Sequence, residues 1–382
     1  MKSSAMNRRP KTTIFEHFSD LKDPRVDRTK LHKLIDIITI TICAVISGAD
    51  TWVDIELYGK TKYQWLKKFL ELPNGIPSHD TFARVFAKLN PEQLQSCFLK
   101  WIQSISQLTS GEIVAIDGKT LRHSYQKSSH KPAIHMVSAW ATANQLVLGQ
   151  VKVDEKSNEI TAIPKLLKVL ALKGCIVTID AMGCQKEIVL QIVAQDADYV
   201  ITLKKNQCSL YERVENLFNS SSSNQKLKGI KTNFVQSKIG HGREERRYYQ
   251  MLSNIKEEVD PSGDWLKLNS IGLVDYFRQE KDGTTSFERR YYVSSLTNNA
   301  ELLAKAIRGH WGIENQLHWV LDVQFSEDDS RIRKDNAPEN LAIIRQIALN
   351  LLKQESTETT GIKTKRKKAG WDNDYLLKVL GV

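Results

Sequence analysis

Two acids in this sequence close runs of β-branched and small apolar residues: Val114-Ala115-Ile116-Asp117 and Val177-Thr178-Ile179-Asp180. An Asp that ends a strand is exposed at the carboxyl edge of a sheet, where α/β folds seat ligands. One such Asp is as readily a cap for the next turn. Two in one sheet, with Gly118 and Gly183 close behind, point to a shared site, because glycine lets the backbone turn without crowding it. Paired carboxylates suit hard cations. Mg²⁺ is commonly held by one or two carboxylates, with water and phosphate oxygens completing its shell.

Other metal or nucleotide motifs are missing. There is no HExxH and no CxxC. Gly118-Lys119-Thr120 has the ending of a P-loop, but Ile113 stands where that motif requires glycine. A third acid, Glu314, lies in Ile307-Arg308-Gly309-His310-Trp311-Gly312-Ile313-Glu314-Asn315-Gln316-Leu317-His318-Trp319. On a helix, His310, Glu314 and His318 share one face at four-residue spacing. Glu327, Asp328 and Asp329 form a second acidic cluster. It reads as a solvated loop and is the rival for the third acid.

The elements that must position these acids follow from periodicity. Residues 34–107 are mostly helical, with apolar residues at three- and four-residue spacing: Trp52, Ile55, Tyr58, then Trp65, Leu66 and Phe69. After the Pro73-Asn74-Gly75 turn, Ser78 is the expected N-cap of a helix carrying Phe82, Val85 and Phe86. That helix reads equally as a DNA-reading helix-turn-helix or as an ordinary hairpin. From Glu112 the period becomes two. Strands are expected at 112–117, 134–142, 145–153, 175–180 and 199–203. Helices at 160–172, with Pro164 in its first turn, and 185–195 interleave with them. Residues 206–297 read as a β-rich insertion, with strands near 246–252, 270–277 and 287–295. Asn298 with Glu301, and Asn336 with Glu339, look like capping boxes opening two further helices.

Composition narrows the class. At 41% hydrophobic and 382 residues, the chain can bury sizeable cores. The formal charge of +11 favours a polyanionic partner. Arg8 and Arg9 lie in a basic arm, and KTKRKK at 363–368 is a basic C-terminal tail. The longest apolar run, residues 34–49, carries Asp36 and falls short of the ~18 apolar residues of a membrane span. The first residues lack the apolar core of a signal peptide. Five scattered cysteines suggest no disulfide framework. A reducing cytoplasm is the expected setting.

DGKTLRHSY, TIDAMGCQ and IRGHWGIENQLHWVLDVQFSEDDSRIR resemble insertion-sequence transposases of the DDE class, most nearly the ISAs-type, H-repeat-associated group. The resemblance spans nearly the whole chain. It implies an α/β fold: a ribonuclease H-like catalytic domain with a β-rich insertion, preceded by a helical N-terminal domain. It places the first Asp on the first strand, the second at the end of the fourth and the Glu on a helix after the fifth. The strand order read above agrees with Asp117, Asp180 and Glu314 as these three.

The resemblance implies five segments. They are a helical, possibly DNA-binding region 1–107, the first part of the catalytic domain 108–205, the insertion 206–297, the helices carrying the third acid 298–354, and the tail 355–382. It also implies two Mg²⁺ ions, replaceable by Mn²⁺, held by Asp117, Asp180 and Glu314. The expected reaction is cleavage at the element's ends and strand transfer into target DNA. Related transposases carry Tyr-x2-Arg-x3-Glu-x6-Lys around the Glu, whereas here Ile307, His310 and Leu321 occupy the Tyr, Arg and Lys positions. Lys119, Arg122, Arg308, His310 and Arg331 are therefore the expected DNA contacts. The expected partner is double-stranded DNA, terminal repeats and target, met by a homo-oligomer at the bacterial nucleoid and not by a membrane protein. Alternatives are a stand-alone Mg²⁺-dependent nuclease and a DNA-binding relict that has lost catalysis.

Overall fold

The computed structural model describes residues 14–106, 108–125, 132–154, 157–220, 229–240 and 243–381. The arm with Arg8 and Arg9, and most of the serine run at 220–224, lie outside them. Among the described residues, five α-helices precede the sheet: α1 (Leu34–Ile46), α2 (Trp52–Thr61), α3 (Tyr63–Leu66), α4 (His79–Lys88) and α5 (Pro91–Ile105). Then come β1 (Ile113–Leu121), β2 (Ile134–Ala141), β3 (Leu146–Lys152), α6 (Glu159–Val169), β4 (Ile176–Ile179), α7 (Lys186–Val193) and β5 (Asp198–Leu203). Next are α8 (Cys208–Ser220), β6 (Ile230–Gly240), β7 (Arg243–Ser253), α9 (Lys256–Val259), β8 (Ser270–Gln279) and β9 (Thr285–Ser294). Helices α10 (Ala300–Ile313), α11 (Trp319–Gln324), α12 (Ala337–Gln354), α13 (Ile362–Trp371) and α14 (Asn373–Leu380) complete the chain.

The strands form one nine-stranded sheet in the order β3-β2-β1-β4-β5-β9-β8-β7-β6. β1, β2 and β3 are antiparallel, whereas β4 and β5 follow helical crossovers and run parallel to β1. Both faces of the centre are covered, so β4 is buried along its length. Ile113, Ile176 and Val200 pack with Leu303, Ala304 and Ile307 of α10 on one face. A Cβ on Gly309 would come within 2.9 Å of Ile113, so glycine there lets α10 lie close on β1. Pro164 sits inside α6, in its second turn and not its first as expected.

The N-terminal helices pack closely against the rest of the chain. Every residue of α1 from Asp36 to Ile46 is buried, which marks a core helix and not an amphipathic surface one. It packs on α12, and its side chains share one apolar core with those of the sheet. The helices expected at 34–107 thus share an interior with the sheet. In α4, Phe82, Val85 and Phe86 are buried, and buried Asn340 of α12 donates to the carbonyls of Phe86 (2.8 Å) and Leu89 (2.9 Å). The outer face presents His79, Asp80, Arg84 and Lys88. Ser78 does not cap α4 through its side chain. Its hydroxyl meets that of Thr81 at 3.2 Å.

The insertion is β-rich, but it too is continuous with the rest: β9 pairs antiparallel with β5 and extends the same sheet. Its edge strand β6, mostly exposed, was not anticipated because it carries little apolar alternation. The basic segment at 363–368 is not a tail. It lies in α13, where Lys365 and Arg366 are buried. Lys365 donates to the carbonyl of Leu352 at 3.1 Å and to that of Glu355. Arg366 donates to the carbonyl of Val45 at 2.9 Å and lies over the Phe325 ring. Two cations of the run thus satisfy carbonyls at the C-terminal ends of α12 and α1, where positive charge is favoured. Among the described residues no helix is long and apolar enough to cross a membrane.

Candidate active site

The parallel pairing of β1 with β4 ends at Ile116 opposite Ile179. The next residue on each strand is an acid, so Asp117 and Asp180 stand side by side where the two strands part. Asp117 does not end its strand: β1 continues to Leu121, paired with β2 alone. Past Asp180 the chain turns through a short 3-10 helix, Ala181–Gly183, capped by the Asp180 carboxylate accepting from the Met182 N–H at 3.0 Å. A Cβ on Gly183 would stand 2.3 Å from Ile179, so that turn requires glycine.

Glu314 opens a π-helical turn, Glu314–His318, between α10 and α11. Such turns widen a helix by a residue and recur at functional sites. Here the turn breaks the regular spacing expected for His310, Glu314 and His318. His310 Nδ1 bonds the Thr178 hydroxyl at 3.1 Å. His318 Nδ1 reaches to 3.6 Å from Asp117 Oδ2. Glu314 itself is exposed.

Electrostatics set this cluster apart. Burial, and then the charges of Glu159, Asp180 and Glu314, push the Asp117 carboxyl up to about 7 against the Gly118 N–H. Burial and Glu159 raise Asp180 as well, with the N–H groups of Met182 and Gly183 opposing. Burial lowers both His310 and His318 to about 4. The imidazole beside Asp117 is therefore neutral near pH 7 and does not balance its charge.

The expected DNA contacts are scattered. Lys119 is largely buried, donating to Glu327 at 2.6 Å and to Asp322. Arg122 is exposed and pairs with Asp328 at 3.2 Å. Arg308 lines a separate groove with Phe234 and Gln236, and Arg331 is exposed. The expectation of a solvated loop at 327–329 fails at Glu327. Its charge is held inside by Lys119 and by Arg345 at 3.8 Å, so it is already matched.

Sequence reasoning missed the groups that surround the acids. A cavity of about 540 Å³ contains Asp180 and Glu314 and is walled by Lys204, Lys205, Arg289, Arg290 and Trp311. The two lysines directly follow β5, in Ile201-Thr202-Leu203-Lys204-Lys205, so their place at the same sheet edge was readable. The two arginines come from β9, whose pairing with β5 no local pattern announces. Glu159, the first residue of α6, was also missed. Among the described residues, no three carboxylate, imidazole or thiol groups stand close enough together to hold one metal ion.

Comparison with known proteins supplies the family. A family model described as a transposase DDE domain matches residues 109–351, and one described as DDE_Tnp_1-associated matches residues 15–102. The chain is 43% identical over 370 residues to "H repeat-associated putative transposase YhhI" of Escherichia coli strain K12, covering 96% of this chain and 97% of that one. It is 44% identical over 371 residues to "Putative transposase YncI" of Escherichia coli O157:H7, covering 96% and 94%. Among solved structures it resembles a piggyBac transposase synaptic complex with hairpin DNA, at 10% identity and a TM-score of 0.45, covering 96% of this chain and 76% of that one. The match to the DDE domain over most of the chain, joined to these full-length relatives, bears out the resemblance carried by the DGK and IEN blocks: the chain belongs to the DDE transposase family.

Proposed function

We propose that this protein is a DNA transposase that cuts an insertion sequence at its ends and joins it to target DNA by metal-assisted phosphoryl transfer. The observation that carries the reading is the pair Asp117 and Asp180, adjacent where β1 and β4 part, with Glu314 acting on Asp117. The strand order and connections support a ribonuclease H-like core.

The acids fit a hard divalent cation. They are all-oxygen donors, burial and then neighbouring carboxylate charge raise Asp117 and Asp180, and the neighbouring imidazoles are neutral. A cation shared with DNA phosphate needs only one or two carboxylates from the protein, so three already converged are not required. Asp117, Asp180 and Glu314 would hold Mg²⁺, or Mn²⁺ in its place. Held there, such ions would supply Lewis-acid stabilisation of charge on the phosphate oxygens.

The protein's remaining groups bind and orient the strand. Lys204, Lys205 and Arg290 bring positive charge beside the acids, and Trp311 offers an aromatic wall to the bases. Lys119, tied to Asp322 and Glu327, fixes β1 against α11 and so locates Asp117 relative to the Glu314 turn. The exposed faces of α4 and α13 would extend the contact along duplex DNA. Synapsis of two ends calls for a homo-oligomer on DNA.

The test is incubation of the purified full-length chain with labelled element ends, target DNA and Mg²⁺. Cleavage followed by joining supports the proposal. Cleavage without joining leaves a nuclease, and binding without cleavage leaves an inactive relict.

A further inference from the structure

The sheet has two edges, and the fold treats them differently. On β3, Asn350 of α12 closes the edge. Its side chain accepts from the Val147 N–H and donates to the Val147 carbonyl, both at 2.9 Å, and both residues are buried. The other edge, β6, has no such closure. Among the described residues, no backbone group on the side of β6 away from β7 is hydrogen-bonded. Such an edge is a template for another strand, and folds usually blunt it with a short strand, a proline, a bulge or charge. Yet β6 runs for eleven residues, Ile230–Gly240, without proline. Its pairing with β7 is continuous. Lys231 and Lys238 are its only charges.

The side chains of β6 complement a second copy of the same strand. Val235 is 54% exposed and Ile239 80% exposed, and four residues apart they project from one face. Consider antiparallel pairing of β6 with β6 of a second copy, about a two-fold axis at Ser237. Val235 then faces Ile239 of the second copy, and Ile239 faces its Val235. On the other face Gln236 meets Lys238, and Phe234 meets Gly240. Lys231 falls beyond the paired residues, so no two like charges stand opposite each other. Moving the axis to Gln236 or Val235 would set Ile239 against Asn233 or Lys231. Apolar cross-strand pairs are favourable and like charges are not, so the pattern selects Ser237. Charge also favours protein over DNA at this edge. Residues 229–297 hold eleven Lys and Arg against ten Asp and Glu, so they carry little of the chain's positive surplus.

We propose that β6 is a self-association edge: two copies pair through residues 234–240 about an axis at Ser237, joining their sheets into one. The contact is isologous, each copy offering the same surface. It gives a surface to the homo-oligomer that two DNA ends call for, but it does not depend on the metal chemistry and can fail without it. Seven residue pairs fall well short of the ~800 Å² per partner of a standard interface, so the dimer is weak and concentration-dependent.

The test uses the full-length, DNA-free protein carrying Cys208→Ser, because Cys208 is the exposed cysteine. Ser237→Cys should give a disulfide-linked dimer under mild oxidation. Residues facing each other across an antiparallel pair have Cα atoms about 4.5–5.5 Å apart, within disulfide range. Asn233→Cys, on the same face but off the axis, should crosslink far less. In sedimentation equilibrium, Val235→Lys with Ile239→Lys should weaken association about tenfold or more, because lysines then face lysines. Val235→Lys with Ile239→Glu should restore it. Each lysine then faces a glutamate of the second copy, while within one strand the two stand about 13 Å apart. All variants should melt like the parent, since the altered side chains are exposed. A parent that stays monomeric at its highest soluble concentration overturns the proposal. So does a dimer that the Lys–Lys variant leaves intact and Ser237→Cys does not crosslink, which would place association elsewhere. A monomer whose Lys–Lys variant melts lower would mean that the chain covers its own edge. A Lys–Lys variant with altered DNA affinity and unchanged association would make the edge a DNA contact instead.

Discussion

Lys119 Nζ on β1 donates to Glu327 Oε2 at 2.6 Å, and only 2% of the Glu327 side chain is exposed. The lysine of the DGK block thus faces inward, bridging β1 to Asp322 on α11 and to the segment that precedes α12. Removing one partner of a buried ion pair leaves the other charge uncompensated, at a cost of about 3–5 kcal/mol. Lys119→Met should therefore lower the unfolding free energy by about that amount in urea melts. DNA affinity, measured where the variant is still folded, should change little. A folded, stable Lys119→Met that loses DNA binding would make Lys119 a phosphate contact instead.

On the proposed mechanism the three acids act on one centre, so their losses should not add. Asp117→Asn, Asp180→Asn and Glu314→Gln should each abolish Mg²⁺-dependent cleavage, and the triple variant should be little worse than any single one. Each single variant should keep its circular dichroism and its DNA affinity. Asp329→Asn is the control and should cut normally. Full activity in Glu314→Gln would remove Glu314 from the site.

The raised Asp117 carboxyl has a consequence for pH. An acid whose folded value lies above its unfolded one binds more protons when folded, so its contribution favours folding at low pH. For Asp117 that advantage is lost as pH rises from its ordinary value of 3.8 through about 7. In EDTA, the melting temperature of Asp117→Asn minus that of the parent should be near its minimum at pH 4. It should grow to pH 7 and level off above. Mn²⁺ or Mg²⁺ should narrow the gap by stabilising the parent's carboxylate. A difference that is flat across this range would mean that neither burial nor neighbouring charge raises the Asp117 carboxyl.

Much of this centre was legible because strand patterns are local. Val-Ala-Ile-Asp and Val-Thr-Ile-Asp announce two strands and two acids, and the structure sets them side by side. The β4 and β5 boundaries and the start of α10 fall within a few residues of those expected. What could not be read depends on contacts distant in sequence. The burial of α1 draws on α12, some 300 residues later. The charge of Glu327 looks solvated until Lys119 and Arg345 are placed beside it. Glu159 looks like an ordinary first-turn acid until β1 brings Gly118 beneath it. The π turn at Glu314–His318 is likewise invisible to a 3.6-residue period.

The basic run at 363–368 gives a test in which position, not charge count, decides the outcome. Arg366 donates to the carbonyl of Val45 at 2.9 Å, lies 3.7 Å from Asp50 and covers the Phe325 ring at 4.1 Å. Lys363 and Lys367, on the same helix, are exposed. Arg366→Met should therefore cost about 1.5–3 kcal/mol of stability, the worth of a hydrogen bond from a charged group. It should leave the dependence of DNA affinity on salt unchanged, because a cation buried in the protein releases no counterions from DNA. Lys363→Ala with Lys367→Ala should do the reverse. Stability should hold within about 0.5 kcal/mol, as for surface substitutions generally. The slope of log affinity against log salt should fall by up to about 0.9 for each phosphate contact removed. If Arg366→Met flattened the salt slope without destabilising the fold, the run would be a solvated DNA-binding tail after all, and its place beneath α1 would be wrong.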